Sequence, residues 1–192
     1  MDQGQTTFKR ELLAVLPSLR AFAISLIGRH DQADDLAIAA LCAELDVPCY
    51  RGPLDDVLQR FHLAAQPFGP SQIVRLTGDC PLADPALIDE LIALHLDGGY
   101  DYSSNCWEPS YPDGLDAEIL SAATLDLLAE HAHTRTEREH VTYYIRQHAD
   151  AFKIGTLSRT PSLAHLRWTV DEPADFALIE QIYQRLKQKK RR

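Results

Sequence analysis

Two aspartates follow apolar runs that end abruptly, and their side chains are suited to holding a metal ion. Asp79 follows Gln72-Ile-Val-Arg-Leu-Thr-Gly78, and Asp171 follows Leu166-Arg-Trp-Thr-Val170. Both runs predict strands, and in an open α/β sheet ligands bind beyond the carboxyl ends of the strands. Magnesium is usually held by one or two carboxylates together with substrate phosphates. The pair therefore predicts a magnesium and triphosphate site, with Asp79 and Asp171 as metal ligands and catalytic residues.

A structural role is the alternative for each of these aspartates. An aspartate after a strand and a glycine is often only a turn former or a helix cap. Asp171 stands just before Glu-Pro, so it could serve only as the N-cap of a final helix. The occurrence of both residues in one α/β chain favours the metal site over two unrelated turns.

Three further charged clusters allow both a binding role and a structural role. Asp113 and Asp116 stand on either side of a turn glycine, and Glu137 and His140 stand on the predicted first turn of a helix, whose positive end favours anions. Both pairs could face the hydroxyls of a sugar, or be an ordinary turn and an ordinary helix start. Arg51 precedes a Gly-Pro turn and two acids, with the same two interpretations.

The elements that must position these residues alternate between strand and helix after about residue 34. Apolar periodicity, caps and glycines predict helices at 35–45, 54–65, 85–98, from 121, 136–145 and after 173, and strands at 47–50, 72–78, 100–104, 115–120, 153–157 and 166–170. The helix at 136–145 is assigned a capping box at Thr136 and Glu139. This alternation predicts an α/β domain with a mostly parallel sheet. Before it, an amphipathic helix predicts a separate segment, so the expected domains are 1–34 and 35–192.

Composition limits the partners of the chain. It has 192 residues, of which 45% are hydrophobic, and a formal net charge of -9. That charge opposes binding to nucleic acid, which depends on lysine and arginine neutralising phosphates. The four cysteines form no C-x-x-C pair, and neither a secretory signal nor an apolar run of membrane length is present. We therefore expect a cytoplasmic protein with no membrane or nucleic-acid partner.

Six motifs, at 41–45, 51–58, 75–82, 111–116, 137–142 and 165–173, carry a resemblance to a known family. From about residue 34 to residue 186 the chain resembles the cytidylyltransferases of the spore-coat-polysaccharide and acylneuraminate type. The resemblance implies a Rossmann-like nucleotide-diphospho-sugar transferase fold and a role in surface polysaccharide biosynthesis. It also implies that a sugar hydroxyl attacks the α-phosphorus of CTP and releases pyrophosphate, with Mg²⁺ as cofactor.

The resemblance also implies roles for the residues within these motifs. Asp79 and Asp171 resemble the metal-coordinating acids of the family. Arg51 and Arg75 are the residues expected to bind the nucleotide. Sugar binding is expected from the two charged clusters described above, with the residues Asp113, Asp116, Glu137 and His140. The expected partners are CTP, a sugar and a second copy of the chain in a homodimer.

The opening of the sequence departs from the family. Members begin with a strand and a loop of the form I-x-A-R-x-x-S-x-R-x-P-x-K, whose backbone and cations hold the triphosphate. The sequence contains no segment of this form, and residues 1–35 instead resemble the opening helix of extracytoplasmic-function sigma factors. This contrast predicts a truncated transferase fold with an N-terminal helical appendage and strongly impaired turnover.

Two other classes of function are alternatives. The chain could be a non-catalytic assembly subunit, since synthetases of this type often dimerise. It could also be a sigma-factor-like transcription module acting through residues 1–35. Turnover of CTP, binding to core RNA polymerase and the state of assembly separate these hypotheses from a working transferase.

Overall fold

A computed structural model describes residues 39–190, except for the side chains of Lys187, Lys189 and Lys190. The sigma-factor-like segment and the predicted domain boundary at residue 34 lie outside these residues, so both stay predictions. None of the described helices is both long and apolar enough to cross a membrane.

The described elements are helices and short strands in alternation, as an α/β protein requires. Residues 39–44 are helical. They are followed by helices α1 (Val57–Ala65), α2 (Pro85–Gly98), α3 (Ala122–His131), α4 (Arg135–Glu139), α5 (Tyr143–Gln147) and α6 (Pro173–Lys190), and by strands β1 (Gln72–Arg75), β2 (Tyr102–Ser104), β3 (Glu118–Ser121) and β4 (Ile154–Thr156). Two 3-10 turns lie at Gln66–Phe68 and Ala149–Ala151. The predicted α/β class is confirmed.

The four strands form one sheet in the order β1-β3-β2-β4. Strand β2 runs antiparallel to β3, with Tyr102 opposite Leu120, and parallel to β4, with Tyr102 opposite Ile154. The sheet is therefore mixed, whereas a mostly parallel sheet was expected. The chain between β2 and β3 contains no helix, and a connection without a crossover helix joins antiparallel neighbours more readily than parallel ones.

The chain divides into two compact units, and the division falls within β1. The first unit contains the residues up to Ile73 together with Ser121–Phe152, and the second contains Val74–Leu120 together with the residues from Lys153 onward. Each unit is described separately below.

The first unit is built from helices around α1. Helix α1 packs against α3 and α4, and the buried side chains include Leu58, Phe61, Leu125 and Leu128. Asp56 caps α1 by accepting a hydrogen bond from the Gln59 amide at 2.9 Å. The same carboxylate accepts bonds from Nε and Nη2 of Arg138 at 2.8 and 2.6 Å. One aspartate therefore both begins α1 and ties it to α4.

The second unit packs α2 against β2 and β4. Helix α2 begins as the sequence predicts, because Asp84 accepts a hydrogen bond from the Ala86 amide at 2.9 Å and Pro85 occupies the first helical position. Gly99, at a φ of 56°, ends the helix in the left-handed conformation that glycine adopts without strain. The core includes the fully buried side chains of Ile88, Leu91, Tyr102, Ile119 and Leu120.

Two predicted strands are absent from the described residues. At 47–50 the Val47 amide bonds back to the Cys42 carbonyl at 2.9 Å, and Pro48 has no amide hydrogen to offer a neighbouring strand. At 166–170 the only ladder contact with another described residue is an isolated parallel bridge between Arg167 and Asp113. The predicted strand before Asp79 exists but ends at Arg75, and its residues are partly exposed and not buried.

The predicted helix at 136–145 is two short helices. The capping box is formed by Thr134 and Glu137 and not by Thr136 and Glu139. Both pairs have the same spacing, so the sequence pattern alone does not distinguish them. The chain then becomes extended at His140, with φ of -108° and ψ of 94°, and the buried Val141 follows before α5 begins.

Candidate functional site

The turn that contains Asp113 lies directly against the segment that leads to Asp171. The Asp113 amide donates to the Leu166 carbonyl at 3.0 Å, and the Trp168 amide donates to the Asp113 carbonyl at 2.6 Å. Gly114 has a φ of 102°, and a Cβ built there would lie 2.6 Å from the carbonyl carbon of Trp168. Only glycine therefore fits this close approach of two main chains.

The loop after β1 contacts the same segment two residues further along, at Val170. The Val170 amide donates to the Asp79 carbonyl at 2.8 Å. Within the loop, the Cys80 amide bonds to the Thr77 carbonyl at 3.3 Å, and the Thr77 hydroxyl lies 3.1 Å from the buried Cys80 sulfur. The main chains that carry Asp79, Asp113 and Asp171 are therefore joined by hydrogen bonds within the second unit.

The Asp171 carboxylate makes contacts that a simple helix cap would not make. Its Oδ2 atom accepts hydrogen bonds from the Thr169 hydroxyl, at 3.2 Å, and from Arg167. The start of α6 is capped instead by Asp175, whose Oδ2 accepts from the Asp171 and Glu172 amides at 3.1 and 3.0 Å. These bonds do not support the alternative role of Asp171 as the N-cap of α6.

Asp116 lies in an acidic environment. Burial and, to a smaller extent, the negative charges of Asp113, Glu118 and Asp79 together raise the pKa of its carboxyl to about 6, against the opposing effect of Arg75. The neighbouring Cys80 is unsuited to nucleophilic attack, because burial raises the pKa of its thiol to about 12.

Arg75 is held by an acid that sequence reasoning did not single out. Its Nη1 donates to Oε2 of Glu118, and the hydroxyl of the buried Tyr102 donates to Oε1 of the same carboxylate at 2.5 Å. Glu118 is itself buried in β3. A charged residue within an apolar strand was the signal available in the sequence, but its partner lies 43 residues away.

Three of the predicted site residues lie in the first unit. Arg51 and His140 are exposed, and the His140 ring centroid lies 6.4 Å from that of Tyr143. Glu137 is buried, and its Oε2 accepts hydrogen bonds from the His133 and Thr134 amides at 2.9 and 2.8 Å. These bonds lower the pKa of Glu137. They are explained by its structural role as a member of the capping box of α4. Sugar or nucleotide binding by these three residues stays a prediction.

Arg167 is the second residue that sequence reasoning missed. Its Nη1 donates to Oδ1 of Asp175 at 2.9 Å, its Nη2 donates to Asp171, and its Nε lies 3.9 Å from Oδ2 of Asp113. The spacing of four residues to Asp171 was visible in the sequence, whereas the contact with Asp113 depends on the fold. One guanidinium thus faces three carboxylates.

The donor atoms of the second unit suit a hard cation that keeps ligands from water or substrate. Within residues 39–190, no three or more His, Cys, Asp or Glu side chains form a group that could hold a metal ion. Carboxylate oxygens are the ligands that magnesium prefers, and magnesium completes its coordination with waters and phosphates. Asp79 and Asp171 are therefore compatible with a magnesium site whose remaining ligands come from a triphosphate.

Comparisons with known proteins identify the family of the chain. A family model described as "Cytidylyltransferase" matches residues 30–190. The spore coat polysaccharide biosynthesis protein SpsF of Bacillus subtilis is 33% identical over 166 residues, which cover 83% of this chain and 67% of that protein. The uncharacterized protein MJ1063 of Methanocaldococcus jannaschii is 35% identical over 155 residues, which cover 80% of this chain and 63% of that protein.

A solved structure supports the same assignment. A cytidylyltransferase from Leptospira borgpetersenii superposes with a TM-score of 0.72 at 30% identity, over 77% of this chain and 62% of that one. The chain thus spans about two thirds of the length of these relatives. This superposition confirms the expected Rossmann-like transferase fold. The motifs, the fold and the match over residues 30–190 together establish that the chain belongs to the cytidylyltransferase family.

Proposed function

We propose that the chain is a magnesium-dependent nucleotidyltransferase that joins CMP to a sugar for surface polysaccharide biosynthesis. The observation that carries the proposal is the hydrogen bond from the Val170 amide to the Asp79 carbonyl at 2.8 Å. It sets the main chains of Asp79 and Asp171 side by side in one unit. The name of the relative SpsF, which refers to spore coat polysaccharide biosynthesis, supports the class of product.

The proposed role of each residue follows from its chemistry. Asp79 and Asp171 would hold Mg²⁺, which when bound would supply positive charge to the triphosphate and to the departing pyrophosphate. Arg75, held by Glu118, contributes its positive charge to nucleotide binding. Asp113 and Asp116 accept hydrogen bonds from sugar hydroxyls. With a pKa of about 6, Asp116 is ionised at pH 7 to 8 and acts there only as an acceptor.

We expect slow turnover from the chain as it stands. The loop of the form I-x-A-R-x-x-S-x-R-x-P-x-K, with which the family is expected to hold the triphosphate, has no counterpart among residues 1–192. Oriented backbone amides and cations of such a loop stabilise the charge on the phosphates. Binding of CTP should therefore depend heavily on Mg²⁺ and on the carboxylates that hold it.

The test is pyrophosphate release from CTP with a panel of sugars, measured with the full chain in the presence and absence of Mg²⁺. We expect slow, magnesium-dependent release that falls about 100-fold in D79N and in D171N, since loss of a metal ligand removes several kcal/mol of charge stabilisation. D89N is the matched control, because Asp89 is an exposed acid on α2 in the same unit. Release that persists in EDTA, or that D79N and D171N leave unchanged, contradicts the proposal.

A further inference from the structure

Arg167 forms the centre of a charged cluster in the second unit that consists of Arg167, Asp113, Asp171 and Asp175. Its three guanidinium nitrogens each face a different carboxylate: Nη1 faces Asp175 at 2.9 Å, Nε faces Asp113 at 3.9 Å, and Nη2 donates to Asp171. A planar guanidinium can address several acceptors at once in fixed directions, whereas a lysine ammonium is a point charge. The arrangement therefore depends on the shape of arginine as well as on its charge.

Asp175 is the fixed end of this cluster. Its Oδ2 accepts the Asp171 and Glu172 amides, which leaves Oδ1 for Arg167. Its side chain is only 20% exposed, whereas those of Asp113 and Asp171 are 53% and 57% exposed. The backbone of Arg167 is fixed as well, by the bridge to Asp113. The backbone of Arg167 and the Nη1 end of its guanidinium are thus both fixed independently of its contact with Asp171.

The contacts of Asp171 leave one side of its carboxylate open. Arg167 and Thr169 both donate to Oδ2. Of the residues that the structure describes, none donates a hydrogen bond to Oδ1. A metal-binding carboxylate is commonly oriented by hydrogen bonds to the oxygen that does not bind the metal, and loss of such a partner costs 10- to 100-fold in metal affinity. The bonds to Asp171 have the form of that arrangement.

We propose that Arg167 is a positioning residue that orients Asp171 for the divalent cation and connects it to Asp113. The inference rests on the proposed function. The opposing effect of Arg167 is repulsion of the cation by its positive charge. Three carboxylates surround this one guanidinium, so the cluster as a whole stays negatively charged. Orientation of Asp171 then outweighs repulsion, and Arg167 strengthens cation binding.

The experiment measures binding of Mn²⁺ in the presence of CTP to the full chain by electron paramagnetic resonance. We expect R167Q to weaken Mn²⁺ binding by about 10-fold or more. R167K keeps the charge but cannot address three carboxylates, so we expect it to be weakened nearly as much. R185Q removes an exposed arginine from α6 and is the matched control, with unchanged binding. The Mg²⁺ concentration needed for half-maximal pyrophosphate release should rise in parallel, while kcat at saturating Mg²⁺ changes less.

D171N separates the inference from the function on which it rests. If D171N binds Mn²⁺ as tightly as the parent chain, both the metal site and the role of Arg167 are wrong. If D171N loses binding but R167Q binds Mn²⁺ equally well or more tightly, only the role of Arg167 is wrong. If R167K binds Mn²⁺ as tightly as the parent chain, Arg167 acts through its charge alone, and the proposed positioning role is wrong. Should R167Q fail to fold, D175N removes the anchor of the arginine and is expected to weaken Mn²⁺ binding in the same way.

Discussion

Gly114 is the residue at which the Asp113 turn and the 166–170 segment come closest. A Cβ at this position would lie 2.6 Å from the carbonyl carbon of Trp168 and 2.7 Å from the amide nitrogen of Thr169, both of them backbone atoms that cannot rotate away. The φ of 102° adds conformational strain for any residue with a side chain.

The prediction for this residue is that G114A lowers the free energy of unfolding by about 1 to 3 kcal/mol. Urea denaturation followed by circular dichroism measures the change. G78A is the control, because a Cβ at Gly78 would meet nothing within 4 Å, and we expect its effect to stay within about 0.5 kcal/mol. Equal effects of the two variants would show that the close approach at Gly114 carries no strain.

Asp116 gives a second prediction at this scale, because its folded-state pKa of about 6 exceeds the ordinary value of 3.8. A carboxyl pKa that is higher in the folded than in the unfolded state means that ionisation is less favourable in the folded state, so it lowers the free energy of unfolding. That cost is absent below about pH 4, grows as the pH rises towards 6, and is constant above. Asparagine carries no such charge at any of these pH values.

D116N should therefore be more stable than the parent chain at pH 7.5, by about 1 kcal/mol once solvent screening of a partly exposed group is allowed for. The advantage should shrink steadily between pH 6 and pH 4. Urea denaturation of both proteins across this range measures the difference. An advantage that does not vary with pH would mean that ionisation of the buried Asp116 carboxyl beside its acidic neighbours does not cost the folded chain stability.

The residues that sequence reasoning missed share one property. Glu118 and Arg167 act through partners that the fold brings close: Glu118 binds Arg75 across 43 residues, and Arg167 faces Asp113 through the bridge that joins their backbones. Their residue types were visible in the sequence, but their partners were not. The Asp79 and Asp171 segments are joined by a main-chain hydrogen bond, but the rule for strand ends does not account for it, because residues 166–170 form only an isolated bridge.

Among the elements, helices followed the sequence more closely than strands did. The caps at Asp84 and Ser121 were readable, because capping is local and each side chain bonds an amide two or three residues away. A strand needs a neighbour, which local sequence does not supply. The run at 166–170 has the composition of a strand, yet its partner is a single residue of a glycine turn. The direction of β3 is likewise set by its connection to β2.

Helix α1 provides a prediction at the scale of elements. Asp56 caps α1 and pairs with Arg138, which also donates to the Ala129 carbonyl at 3.0 Å. D56A should lower the free energy of unfolding by about 2 kcal/mol, because it removes a cap and leaves a partly buried guanidinium with one acceptor fewer. D56N keeps a capping oxygen and should cost less.

Thermal and urea unfolding of D56A, D56N and D55A measure this effect. D55A is the control, because Asp55 is an exposed acid next to Asp56, and we expect a change within about 0.5 kcal/mol. If D56N destabilises as much as D56A, the ion pair with Arg138 accounts for the whole effect and the cap for none of it.

At the scale of the whole molecule, charge and the proposed ligand act against each other. The chain carries a formal net charge of -9, and a triphosphate is also negatively charged. Like charges slow association and weaken binding, most strongly at low ionic strength. A divalent cation between the carboxylates and the phosphates reverses this repulsion locally. CTP should therefore bind the chain as a complex with Mg²⁺ and not as the free nucleotide.

The last prediction follows from this coupling and needs no turnover. A ligand that binds only the folded chain stabilises it by about 2.7 kcal/mol at 100 times its Kd. For a protein of this size that corresponds to a rise in Tm of about 5 to 10 °C. Differential scanning fluorimetry should show this rise with CTP and Mg²⁺ together and none with CTP in EDTA. D79N should lose the rise while D89N keeps it; a rise that survives EDTA, or that D79N retains, would mean that the nucleotide binds without the metal and the carboxylates proposed to hold it.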